Sequence, residues 1–434
     1  MRTPTYPTAV VMNMYYTGLG IARSLGRRGI PVIGLSAQRM GYGNFTRFAK
    51  IVHCPDSRHE PEALLTRLQA LGKEIGHRSV IFPTRDDDLV FLDRYREALE
   101  PYFILAVPER AALNICLSKW ETYLWAEKTG VATPKCWFAE TEEEVRRIAP
   151  GVTYPCVAKP VAAHHWRQGG NWGLVGGRKA ICVSSPEELL AEYALIARAD
   201  QRVLLQEMIP GEDDCLVIAA CYLDRDSNWV AGFNTQKLVQ SPEGFGTGCI
   251  VQSVDRPELF APTLQLLQGM RFSGIAEVEY KWDSRTGSFR LIEINPGAWD
   301  QHILGGACGV DLTYFSYCEH AGLPVPVAAK KISHRKWIAE DAFFMAALQY
   351  LWRRDPKLVS LFRRARGKRI YAIWSVRDPL PSLAYVTTYL LPELVRLGAR
   401  SLWSVLSSSV RTKAKAQQEP AAYGSPLEKG VSRD

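Results

Sequence analysis

The chain has 434 residues, 47% hydrophobic and 23% charged, with a formal net charge of +8. That balance buries a sizeable core in two or three domains and excludes a disordered or low-complexity protein. Ten cysteines are scattered with no C-x-x-C spacing, which excludes a zinc ribbon and a disulfide framework.

The opening stretch, MRTPTYPTAVVMNMYY, lacks the long apolar core and cleavage site of a secretory signal, so a cytoplasmic protein is expected. AVVMNMYYTGLGIARSLGRRGIPVIGLS then predicts strand, glycine-containing turn, amphipathic helix and second strand, the start of a parallel α/β unit. Gly18 and Gly20 form only G-x-G, too little for a dinucleotide fingerprint. SVIFPTRDDDLVFL brings Asp86 to the C-terminal end of a further strand, the edge where open α/β sheets bind ligands. Asp86 either caps the following helix, the more ordinary role, or faces an acceptor substrate.

In LSKWETYLWAEKTGVATP, Ser118 is placed to cap a helix that starts with Lys119, ends at Gly130 and is barred by Pro134. YPCVAKP is a strand ending at Lys159, because the residue before Pro160 stays extended. A buried strand-end ammonium needs an anion, and a nucleotide phosphate supplies one. HHWRQGGNWGLVGG follows, with Gly169, Gly170, Gly173, Gly176 and Gly177 as a mobile flap whose amides can meet phosphates. It is neither a P-loop nor a Rossmann turn, and its His164 and His165 belong to no nucleophile-base arrangement. In VLLQEMIPGEDDCLVIAA, the strand end at Gln206, Glu207, Met208 and Ile209 can read an adenine edge and cover its faces. Glu212 to Asp214 can meet ribose hydroxyls. Finally GIAEVEYKWDSRTGSFRLIEINP reads as a hairpin that sets Glu279 beside Glu293, with Asn295 on the same face. Two carboxylates and an amide oxygen suit magnesium.

In this order, LSKWETYLWAEKTGVATPK, YPCVAKP, VLLQEMIPGEDD and GIAEVEY…FRLIEINP resemble the ATP-grasp superfamily, in its carboxylate-amine ligase-like branch. The resemblance implies an α/β (α+β ATP-grasp) protein. A parallel α/β domain over 1–112 precedes the two-lobed module over 113–328, whose flap lobe spans about 135–205. A basic amphipathic helical region over 329–411 and a disordered tail over 412–434 follow. It also implies ATP and Mg2+, with Mn2+ as a substitute. Lys119, Lys159, Gly169 and Gly170 would serve the phosphates, and Gln206, Glu207, Met208 and Ile209 the adenine. Asp213, or Glu212, would meet the ribose, and Glu279, Glu293 and Asn295 the metal. Many relatives place an arginine directly after N-P; here that position is Gly297, and the cationic role falls to Lys237 or Arg167.

The implied reaction joins a small carboxylate to an amine, such as an amino acid or cell-envelope precursor, through an acyl phosphate. Kinase activity and a non-catalytic nucleotide-binding module are the alternatives. Charge adds one further partner. Residues 330–434 carry 20 Lys and Arg against 8 Asp and Glu, leaving 33 against 37 in the rest. Amphipathic segments there, LQYLWRRDPKLVSLFRRARGKRIYAIWSVRDPLP and LAYVTTYLLPELVRLGARSLWSVL, either rest on the protein body or touch the inner face of a membrane. Pro392, Glu393, Arg396 and Arg400 interrupt any span. Nucleic acid is not expected, since the aromatics lie among aliphatics rather than forming a stacking platform. The DPLP tetrapeptide at Asp378–Pro381 is a further point of resemblance. Oligomeric state leaves no signal.

Overall fold

A computed structural model describes residues 6–161, 165–167, 170–242, 244, 246–329 and 332–396, the side chain of Arg167 excepted. The described residues up to Ala384 form one compact unit built on three sheets. The first is parallel: β1 (Ala9–Met12), β2 (Val32–Ser36), β3 (Lys50–His53), β4 (Ser79–Phe82) and β5 (Phe103–Leu105), in the order β3-β2-β1-β4-β5. The unbroken apolar run of β1 is buried throughout, as a strand covered on both faces must be. Strand order reverses beside β1, so the loop after β4, residues 83–86, opens onto the crevice where such sheets take ligands.

The second sheet is antiparallel: β6 (Cys136–Ala139), β7 (Cys156–Lys159), β8 (Ile181–Val183) and β9 (Val203–Glu207), in the order β6-β9-β7-β8. It closes over its own core of Val145, Trp166, Leu189, Tyr193 and Leu205. The third sheet comprises β10 (Leu216–Leu223), β11 (Trp229–Ser241), β12 (Thr247–Val254), β13 (Gly274–Asp283), β14 (Ser288–Pro296), β15 (Lys336–Ile338) and β16 (Arg369–Tyr371). Its order is β14-β13-β10-β11-β12-β15-β16. The β13–β14 hairpin turns where Thr286 and Gly287 return their amides to the Asp283 carbonyl. Its register opposes Glu279 to Glu293 and Glu277 to Asn295.

The basic C-terminal region is helical at Glu340–Arg353 and Lys357–Arg364, as expected. It also lends strands to the central sheet: β15 pairs antiparallel with β12, and β16 parallel with β15. Three-residue strands are too short to show a period of two in sequence. The DPLP tetrapeptide has a structural task. Asp378 accepts hydrogen bonds from Arg23 Nε (2.9 Å), Thr46 Oγ1 (2.7 Å) and the Arg47 amide (3.0 Å), while Arg23 Nη2 reaches the Ile373 carbonyl at 2.7 Å. This buried clasp ties the segment to the first helix, Tyr16–Gly26.

A second unit begins at Tyr385 and is helical over its described residues. No helix among the described residues is long and apolar enough to cross a membrane. The tail expected to be disordered, 412–434, lies outside the described residues, as do Arg400, Gly169 and His164.

Candidate active site

Local sequence explains how the lysines arrive. Ser118 caps the helix Lys119–Lys128 by accepting the Glu121 amide, and the Lys119 amide donates to the Val161 carbonyl at 2.8 Å. That bond fastens the helix start to the chain leaving β7, so Lys119 and Lys159 enter the same space. A cavity of about 330 Å³ lies there. It is walled by β7 and β9 on one side and by β10, β11, β13 and β14 on the other. Lys119, Lys159, Lys237, Glu279, Glu293 and Asn295 all line it, as do Gln206, Met208 and Ile209. A neighbouring cavity of about 170 Å³ is lined by Thr17, Thr84, Arg85, Gly297 and Ala298. Asp86, Glu277, Asn295, Trp299 and Asp300 line both.

The charges are matched in pairs. Lys119 Nζ donates to Glu293 Oε2 at 2.8 Å, Lys237 Nζ donates to Glu279 Oε2, and Lys159 Nζ donates to Gln206 Oε1 at 2.7 Å. Lys119 holds the Glu293 carboxyl far below the usual range against the opposing effect of burial. Burial alone would lower Lys237, but Glu279, Glu277 and Glu293 together raise it. Among the described residues Lys159 has no carboxylate hydrogen-bond partner; burial and repulsion from Lys119 bring it down to about 8. Burial pushes Glu277 up to about 8 although Lys237 opposes it. A phosphate chain entering the cavity would therefore meet one ammonium already paired to an amide oxygen and two paired to carboxylates.

Other expected residues stand elsewhere. Glu207 is buried and bonded to the Lys135 amide and Arg285 rather than lining the cavity. Asp213 spends its carboxylate on the Gln240 amide and side chain, both at 2.7 Å, and Glu212 is exposed; neither lines the cavity, although Gln240 does. Gly170 is left-handed (φ 87°) at the head of a short helical turn, away from the lining. The glycines that do line it among the described residues are Gly244 and Gly246, between β11 and β12, and Gly248 at the start of β12. A Cβ on Gly246 would stand 2.1 Å from the Pro242 carbonyl oxygen, so only glycine fits. Arg167 ends a short 3-10 turn, its side chain outside the described atoms. His165 is engaged with Asp200 at 3.1 Å. Asp86 does not cap its helix: Arg85 holds that position, and Asp88 accepts the Thr84 amide instead. Gly297 has φ 91°, a left-handed turn that an arginine would enter only with strain.

Sequence reasoning passed over Glu277, Lys281, Lys179, Trp299 and Asp300, all in the lining. Glu277 and Lys281 carried a usable signal, since each lies two residues from Glu279 and so shares its face. Among the described residues no three acidic, histidine or cysteine side chains form a ready metal site.

No family model matches the chain. It is 21% identical over 264 residues to a D-aspartate ligase of Enterococcus faecium, covering 58% of this chain and 62% of the ligase. The chain thus spans less than two thirds of that relative's length. The architecture itself recurs in solved structures. Biotin carboxylase from Campylobacter jejuni, solved in a β,γ-ATP complex, superposes with a TM-score of 0.60 at 16% identity, over 76% of this chain and 74% of that one. This is the ATP-grasp fold. N5-carboxyaminoimidazole synthetase from Staphylococcus aureus shares it at a TM-score of 0.59 and 12% identity, over 81% of this chain and 87% of its own. The four-stranded sheet β6 to β9 and the larger sheet that carries the β13–β14 hairpin of acids face each other across the cavity.

Proposed function

We propose that the protein is an ATP-dependent carboxylate-amine ligase, which forms an amide through an acyl phosphate and releases ADP and phosphate. One observation carries this reading: Lys119, Lys159 and Lys237 converge with Glu279, Glu293 and Asn295 on a single cavity that adjoins a second, smaller one. The larger volume suits a nucleotide, and the smaller suits the carboxylate and amine. The similarity to a D-aspartate ligase supports the reaction class.

The donor set fits magnesium, or manganese in its place. Glu279 and Glu293 are cross-strand neighbours, and the Asn295 side chain lies 3.2 Å from the Glu293 carboxylate. These three would hold the metal, which when bound neutralises phosphate charge. Lys119 and Lys159 would grip the phosphates. Met208 and Ile209 would cover the adenine, and Gln206 orients Lys159 from below. Lys237 takes the cationic place that Gly297 vacates, because its ammonium reaches the carboxylate of Glu279 inside the same cavity. A substrate carboxylate held in line would accept the terminal phosphoryl group, and the amine would then displace phosphate.

The test is ADP release by the purified protein with pooled carboxylates and amino acids, with and without magnesium, and with Glu293→Gln as the control. Release that needs both substrate classes, falls at least about a hundredfold in the control and yields a condensed mass supports the ligase. A stable phosphorylated product without amine incorporation would identify a kinase, and nucleotide binding without turnover would overturn both readings.

A further inference from the structure

The helical hairpin Glu340–Arg353 and Lys357–Arg364 has two apolar sides. Its inward side, with Leu361, Ala365, Ala346 and Tyr350, packs into a core shared with Val239 and Ile250 of the central sheet. Its outward side leaves Trp352 63%, Val359 73% and Phe362 52% exposed. Val359 and Phe362 are three apart on one helical face, Arg363 continues it at the next turn, and the exposed Arg366 follows just beyond the helix end. Cations crowd the neighbourhood: residues 351–377 include nine Lys and Arg and one acid, Asp355. A soluble face normally has charge without such large apolar tips, and a protein core has the tips without the charge.

We infer that this hairpin docks the protein on an anionic lipid surface. Apolar tips of this size reach the headgroup–acyl boundary, tryptophan favours that depth, and arginines stay at the level of the lipid phosphates. Charge complementarity favours a lipid over a neutral protein groove. Nucleic acid is the weaker occupant, because the exposed aromatics Trp352 and Phe362 stand among the aliphatics Val359 and Leu351, 57% exposed, rather than forming a stacking platform. The hairpin is bolted to the catalytic sheet: Arg364 donates to Asp214 at 3.1 Å and to the Leu238 carbonyl at 3.0 Å, one residue from Lys237. Docking through it would hold the active site at the membrane, within reach of an acceptor presented on lipid.

Co-sedimentation of the full chain with vesicles tests this at low salt, comparing phosphatidylcholine alone with phosphatidylcholine containing phosphatidylglycerol. The expected result is binding only to the anionic vesicles. It should fall by roughly 25-fold or more in Arg363→Glu/Arg366→Glu, at about a fivefold loss per positive charge removed, and by roughly tenfold or more in Val359→Ser/Phe362→Ser. Both double variants alter exposed positions, and each must keep the parent's thermal unfolding temperature and ADP release. Absence of wild-type binding, equal binding to neutral vesicles, parent-like binding by both folded variants, or displacement of the protein from vesicles by short single-stranded DNA would each overturn the proposal.

Discussion

Among the described residues Lys159 bonds an amide oxygen where the other two site lysines bond carboxylates, and that difference sets a pH dependence. In the nucleotide-free protein its ammonium is held down to about 8 by burial and by Lys119. An incoming phosphate favours the charged form, so nucleotide binding raises this value. The nucleotide-free protein has already lost the proton above pH 8, and binding must then restore it. Affinity for ATP is therefore expected to be steady below about pH 8 and to fall above it, by up to about tenfold per pH unit until the bound-state value is passed. Calorimetry in buffers of different ionisation enthalpy should show proton uptake near pH 8 to 9. The uptake should vanish in Lys159→Met, and its persistence there would assign the titration to another group. The same residue scale shows what the sequence discloses. Glu293 and Asn295 were legible because strand alternation puts them on one face, and Glu279 because a local hairpin turn sets it opposite, whereas the pairing of Asp213 with Gln240 depends on a contact across 27 positions.

Among elements, the best-read were those whose signals are local: the Ser118 cap, the strand end before Pro160, and the turn from Asp283 to Gly287. Those missed depend on distant partners, as β15 on β12 and Asp378 on Arg23 do. The Arg23–Asp378 clasp is almost wholly buried, with side chains 5% and 1% exposed. Asp378→Ala would leave a guanidinium without its carboxylate in a dry place, and is expected to cost about 3–5 kcal/mol. Chemical denaturation should show this as a lower midpoint, and a change under about 1 kcal/mol would mean that water or backbone carbonyls replace the carboxylate. Because Arg23 also grips the Ala372 and Ile373 carbonyls, the loss should loosen the segment that follows β16 before it disturbs the nucleotide cavity.

For the whole molecule, the central sheet joins what composition had divided. The chain's surplus of positive charge belongs to residues from 330 onward, read from composition as a basic helical region, and β15 and β16 from that region complete a sheet whose other edge carries Glu293 and Asn295. Composition records charge, not which strand seals which edge. Here β15 occupies the hydrogen-bonding side of β12 along Ile250, Val251 and Gln252. A chain cut after Ala328 would keep every expected nucleotide and metal residue and yet bare that row of amides and carbonyls, together with the apolar patch at Val239, Cys249 and Ile250. Open strand edges of this kind recruit other chains. Size-exclusion chromatography of the shortened protein should show oligomers and aggregate, and a clean monomer with normal ADP release would show that the edge seals itself. The basic segment is thus a guard against self-association as much as a docking device.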